Sequence, residues 1–378
     1  MAGRFELSAI FKARDLLSGP IGKIQKNFQK MSKNVGTSIR EMNSGVDKAI
    51  EGLQRVAAVA AVVGGAAAAG LLVAGARGAE FEQAMASVGA VSLMTKGEVS
   101  KLADEAKRLS METKFSATEI AKGMEEMGRA GLKNNEVMAA LPGILSAAAA
   151  EGAEFSAVST NILNVLKGMG LAFDQTDMVA DVLTKASAAT NSSITSLGES
   201  MKNVAPVARQ FGVGFKDAVA AVALLQDVGM DASEAGTATA TMLTKLAKPS
   251  KEAASQMAAL GIKFQDAKGN MLPLTEVFGQ FIKAGDKAGG NMKQAAFFAE
   301  LVGLRGQKAA INLKDLFASG KFKELRDDLE NAGGSAKKMA DLRMQNLLDQ
   351  FLLLKNTVDV VAIELFNLGG DGLTKVVQ

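Results

Sequence analysis

SATEIAKGMEEMGRAGLKNNEVMAALPGILSAAAAEG, residues 116–152, decides how this chain folds. Ser116 followed by Glu119 has the S-x-x-E form of a capping box. In it the serine oxygen and the glutamate carboxylate each accept a backbone N–H that a first helical turn leaves unpaired. The helix opened there ends at Gly131, a residue free to take the left-handed backbone that stops a helix. NNEVMAALPGILSAAAAEG then supplies an antiparallel partner helix. A related passage lies about 98 residues further on. GFKDAVAAVALLQDVGMDASEAGTATATMLTKL repeats the order of apolar helix, glycine, short polar cap and helix. Gly131-Leu132-Lys133-Asn134-Asn135-Glu136 is set against Gly229-Met230-Asp231-Ala232-Ser233-Glu234, a weak internal repeat of helical hairpins. The expected fold class is mainly α, with a multi-helix core.

Outward from this passage, FEQAMASVGAVS (81–92) begins the run of short amphipathic helices. LGIKFQDAKGNMLPL (260–274) interrupts it. Ile262 and Phe264 precede the turn-prone DAKGN, and Met271-Leu272 follow, which predicts one small β-hairpin. Near the C-terminus, residues 337–366 read as an apolar helix with Leu347, Phe351, Leu354, Val358, Val361 and Leu365 along one face. The expected organisation is a basic arm at 1–55, an apolar segment at 56–76, a helical core at 77–335 and a C-terminal amphipathic helix at 336–378.

The arm begins with a weak strand alternation in RFELSAIFKA and a helix start at Ser18-Gly19-Pro20. From there Ile21, Ile24, Phe28, Met31, Val35, Ile39, Met42, Val46, Ile50 and Leu53 recur at steps of three and four. The mean step is about 3.56, between the coiled-coil period and that of a straight helix. This predicts an extended amphipathic helix whose apolar stripe serves as an oligomer face. Ten basic and five acidic side chains make the first 55 residues positive by five.

The apolar segment, VAAVAAVVGGAAAAGLLVAGA, runs from Val56 to Ala76 between Arg55 and Arg77 with no charged or hydrogen-bonding side chain. About 20 residues at a rise of roughly 1.5 Å suffice to cross a bilayer core. Yet ten of its 21 residues are Ala and four are Gly. The five Val and two Leu supply only about −2 to −4 kcal/mol of insertion energy, so the segment is marginal as a membrane span. Small residues recur four apart, as in Ala61-Gly65-Ala69 and Ala66-Gly70-Ala74, the pattern that lets helices approach closely. Val56, Ala61, Gly64, Gly65, Ala69, Gly70, Leu71, Leu72 and Ala74 are the expected membrane or helix-packing residues.

Composition narrows the chemistry. The chain of 378 residues has no His, Cys, Trp or Tyr. Without His and Cys there is no imidazole base, thiol nucleophile, zinc finger or disulfide. Without Trp and Tyr there is no aromatic belt to seat a span at a membrane interface. No phosphate-binding loop or dinucleotide fingerprint occurs; Gly168-Met169-Gly170 and Gly212-Val213-Gly214 are isolated pairs. Glu80 and Glu82 are the first carboxylates to consider for acid chemistry, and surface or capping roles suit them better. The expectation is no enzyme, no catalytic residue, no cofactor and no metal. A net charge of +3 gives no global pull toward nucleic acid, and no sequence-specific nucleic-acid binding is expected.

Several blocks in order over about 250 residues carry a resemblance to the core of bacteriophage tail tape-measure proteins. They include FEQAMASVGAVS, LADEAKRLSMETKFSATEIAKGMEEMGRAGL, the passage from SLGESMKNVAPVARQFGVGF to TATATML, PSKEAASQMAALGIKFQDAKGNMLPLTEVF and ELVGLRGQKAAINL. The opening LSAIFKARDLLSGPIGKIQKNFQKMSK is similar as well. The resemblance implies a homo-oligomer, a trimer as a working guess, lying in the tail-tube lumen and setting tail length. It implies tail-tube, tail-tip or baseplate, and tail-assembly chaperone partners. It also implies a cytoplasmic assembly stage and genome delivery across the host inner membrane. Wholly helical, the chain would reach only about 570 Å, so it is expected to be a short member or the N-terminal portion of a longer one. A secreted pore-former or translocator shares the same physical features. A tail-associated peptidoglycan hydrolase is the third reading, without a motif to support it.

Overall fold

The computed structural model describes residues 66–367, apart from 267–270, 289–290, 346–348, 350, 351, 354, 361 and 365. The predicted arm helix and the first ten residues of the apolar segment lie outside the described residues. The chain divides into two units, 1–73 and 74–378. The fold below is that of the second.

The described elements are helical. They run α1 (Ala66–Ser92), α2 (Lys96–Glu112), α3 (Ala117–Arg129), α4 (Asn134–Glu151), α5 (Phe155–Met169), α6 (Thr176–Ala189) and α7 (Ile194–Phe211). They continue as α8 (Phe215–Asp227), α9 (Ala232–Ala247), α10 (Lys251–Leu260), α11 (Leu274–Ala288), α12 (Asn291–Ala318), α13 (Lys321–Glu330) and α14 (Ser335–Arg343). The punctuation is local. Ser116 Oγ accepts the Glu119 N–H, and the Glu119 carboxylate accepts the Ser116 N–H at 2.8 Å, which closes the predicted capping box. Thr95 and Glu98 build the same device on α2. Gly131 takes φ +90°, and Leu132 N–H donates to the Met127 carbonyl at 3.1 Å, satisfying the end of α3.

The repeat seen in the sequence extends to the fold. Helices α2, α3 and α4 begin at 96, 117 and 134, and α7, α8 and α9 begin at 194, 215 and 232, each 98 residues later. Gly229 repeats the Gly131 geometry at φ +91°, with Met230 N–H on the Leu225 carbonyl at 3.0 Å.

The helices form two layers over one core. The first runs α2, α3, α5, α7, α9, α12; the second holds α4, α6, α8, α13 and α14. The tightest packing joins α9 to α12, followed by α7 to α9, α5 to α7 and α4 to α14, none of them consecutive helices. The antiparallel hairpin expected of α3 and α4 is a minor contact: α3 packs mainly on α2 and α5, and α4 on α6 and α14. Interior glycines set the close approaches. Gly168 of α5 faces Ala205 of α7, and Gly198 of α7 faces Asn161 of α5, so these two helices run parallel. Gly236 of α9 lies against the backbone of Ser200 on α7. Gln226 sits at the join of α7, α8 and α9, donating to Ser200 Oγ at 3.0 Å and accepting from Ser196 Oγ at 2.7 Å. Ser200 Oγ in turn donates to the Ala232 carbonyl at 2.6 Å. No atom of that buried Gln side chain is left unpaired, as burial demands.

Among the described residues, the predicted β-hairpin is represented by one antiparallel bridge, Gln265 with Met271, supported by Leu272 N–H on the Phe264 carbonyl at 2.8 Å. The rungs that would extend it are used elsewhere. Ile262 N–H caps α10 through the Met257 carbonyl, and the Gln280 side chain takes both the N–H and the carbonyl of Lys263.

Candidate functional site

The oligomer-face residues Ile21, Ile24, Phe28, Met31, Val35, Ile39, Met42, Val46, Ile50 and Leu53 lie outside the described residues, as do Val56, Ala61, Gly64 and Gly65. Ala69, Gly70, Leu71, Leu72 and Ala74 fall on α1, whose helical backbone runs without a break past Arg77 to Ser92. Among the described residues no helix is long and apolar enough to cross a membrane. The described part of the apolar segment is 66–76, about half the length a bilayer core requires. The transmembrane expectation therefore gains no support from the structure.

What α1 does show is how the residues following that segment are held. Phe81, Ala84, Met85 and Val88 are buried at steps of three, one and three, a helical stripe seated in the core. Gly78 lets α1 come close to Phe366: a Cβ there would overlap the ring and its stem. Around this contact the charges interlock. Arg77 lies 3.7 Å from Asp359 and 3.6 Å from Glu80, Lys122 lies 3.7 Å from Glu80, and Lys355 lies 3.2 Å from Asp359. These side chains line a polar cleft of about 290 Å³ at the N-terminus of α3. Beside it Lys107 donates to Glu364 at 2.6 Å, and Asn356 donates to the Thr113 carbonyl at 3.1 Å. Burial pulls the Lys107 ammonium down, but Glu364 and Asp104 outweigh it and hold its pKa above the ordinary lysine value.

This arrangement joins elements rather than presenting a reagent. Glu80 is tied to two cations, and Glu119 is spent in the α3 capping box. Glu82 is exposed on α1. Among the described residues no group of three acidic side chains is placed to hold a metal ion.

Sequence reasoning missed two features. Asp181 on α6 caps α14 from far along the chain, accepting the Gly334 N–H at 2.7 Å and the Ala336 N–H at 2.9 Å. No local signal betrays a cap supplied by another helix. The Gln226 network is equally non-local. Of the C-terminal stripe, Leu347, Phe351, Leu354, Val361 and Leu365 lie outside the residues whose side chains are described, and Val358 is 54% exposed. Among the described residues of that helix, Asn356, Val360 and Ile363 are buried, on the side opposite Val358. The Asn356 amide is matched there to the Thr113 carbonyl.

The family described as phage-related minor tail protein matches residues 103–303, just over half of the chain. A tape measure protein of Pneumococcus phage Dp-1 is 34% identical over 302 residues, covering 79% of this chain and 26% of that protein. A probable tape measure protein of Escherichia phage P2 is 26% identical over 330 residues, covering 85% of this chain and 40% of that protein. The chain thus spans about a quarter and two-fifths of the length of these relatives. No solved structure matches it. The chain belongs to the phage-related minor tail protein family and is a relative of phage tape measure proteins.

Proposed function

We propose that the chain is a structural tail component that acts as a tape measure, setting tail length from within the tube. The observation that carries this reading is the family match across 103–303 together with two relatives that bear the tape-measure name. The described site supports a mechanical role, since its charged side chains are engaged in joining helices. The core is a two-layer block, so it cannot contribute the full helical length of about 570 Å; extended tracts outside the block must supply most of the ruler. In this reading residues 1–55 form an oligomeric helical arm, 77–335 the folded core and 336–378 a C-terminal helix. Tail-tube, tail-tip or baseplate and chaperone proteins are its partners. Cryo-electron microscopy of intact particles is the test. Density for the two-layer core inside the tail is expected; tails that contain no copy of the chain would sink the proposal.

The apolar segment 56–76 gives this reading its second part, entry into the host inner membrane during genome delivery. Its support is the uncharged length read from the sequence. Placing lysines at Gly65 and Ala69 puts two charges at mid-segment, each costing about 2.5–3.5 kcal/mol at a bilayer centre. Dye leakage from liposomes is expected to fall at least tenfold while the melting of the core stays unchanged. Undiminished leakage would remove the membrane role from this segment.

A further inference from the structure

Helices α5, α7 and α9 stand side by side in the first layer, and each exposes one polar stripe. The stripes are continuous. Lys167 of α5 and Arg209 of α7 flank one shallow groove, and Asn203 of α7 with Thr237, Thr244 and Lys245 of α9 lines the next. Asn203 Nδ2 donates to Thr237 Oγ1 at 3.4 Å across the second groove, and the Arg209 guanidinium lies over Gly170 at the end of α5. The exposed charges on these three helices and their caps are mostly basic. Lys167, Lys202, Arg209, Lys245 and Lys248 are exposed, against the exposed acids Glu154, Glu199 and Asp231. None of the five cations makes an ion pair among the described residues, whereas Arg108, Arg129, Lys323 and Arg326 are each paired within their own helix.

Helix dipoles do not account for this charge. Four of the cations, Lys167, Arg209, Lys245 and Lys248, sit at the C-terminal ends of α5, α7 and α9, where each helix end carries roughly −0.5. Each helix also carries roughly +0.5 at its N-terminal end, so the dipoles of the three helices sum to zero, and five cations against three exposed acids leave about +2.

We propose that this face binds the phosphate backbone of duplex nucleic acid without reading its sequence. Arg and Lys heads interspersed with Thr and Asn side chains are the donor set that phosphate oxygens take in such complexes. Neighbouring helices about 8–10 Å apart step the cations across the surface on the scale of a groove about 12 Å wide. The face carries no exposed aromatic side chain, so it lacks the stacking platform that single strands use. It also lacks the exposed large apolar side chains with which amphipathic surfaces enter a lipid interface. Phosphate contact carries no base information, which agrees with the absence of a recognition motif.

The test is fluorescence anisotropy of the full chain with a labelled 24-base-pair duplex of arbitrary sequence at about 50 mM salt. The combined variant K167Q/K202Q/R209Q/K245Q keeps every side chain on the surface, and a thermal melt matching the parent confirms its fold. Affinity is expected to fall at least tenfold, and the slope of log K against log salt to lessen by about 3–4. Equal substitutions in the arm, K23Q/K26Q/K30Q/K33Q, are expected to leave that difference between parent and face variant in place. The proposal is overturned if the parent does not bind the duplex, or if the face variant binds as the parent does. Capture of anionic phospholipid vesicles in place of the duplex overturns it too. Tail localisation by microscopy is independent of each of these outcomes.

Discussion

Gly236→Ala is expected to destabilise the core by about 3 kcal/mol, lowering the melting temperature by roughly 6–10 °C. A Cβ at this position comes within 2.5 Å of the Ser200 carbonyl oxygen and 2.9 Å of the Ser200 Cα. Both are backbone atoms of α7, so no rotamer change relieves the overlap and two whole helices must part. Their separation also strains the Ser200 hydroxyl bond to the Ala232 carbonyl and the buried Gln226 amide beside it. Gly131→Ala is the informative contrast. There a Cβ meets open space, and only the left-handed φ of +90° is penalised, at about 1–2 kcal/mol. Circular dichroism melts of the two variants decide the matter. Equal melting of Gly236→Ala and the parent would mean that α7 and α9 do not meet at this glycine.

Phe278→Ala is expected to cost about 3–5 kcal/mol, the usual range for deleting a buried phenylalanine. Phe278 is fully buried on α11, stacked on Phe317 with ring centroids 4.5 Å apart and edge-on to Phe281 at 5.5 Å. Phe317 stacks in turn on Phe322 of α13 at 3.9 Å, so one ring column joins α11, α12 and α13. Removing its first member leaves a cavity that rigid neighbours cannot fill. Hydrogen exchange is expected to quicken across α11–α13 before α3–α5. A loss below 1 kcal/mol would show that this column is not part of the core.

Local grammar was legible in the sequence because its causes are local. Ser116 and Glu119 sit three residues apart and satisfy each other, and Gly131 and Gly229 mark helix ends by conformations that other residues avoid. Interior glycines were harder. Gly123, Gly143, Gly198 and Gly236 carry no local sign of their role, yet each faces a side chain or backbone of a neighbouring helix where a methyl group has no room. An apolar stripe tells which side of a helix is buried and not which helix covers it, so the alternation between layers stayed hidden. The cap from Asp181 and the burial of Asn356 share that cause. The site was not legible, because the interlocked charges around Arg77 and Asp359 join positions far apart in the chain.

The most direct measurement of the central claim is tail length, read by electron microscopy of particles whose gene carries an in-frame duplication of residues 20–55. The 36 added residues, with their apolar step of three and four, extend a helical ruler by about 54 Å. The account predicts a population of tails longer by that amount, with the folded core unchanged. Tails of parental length carrying the lengthened chain would contradict it.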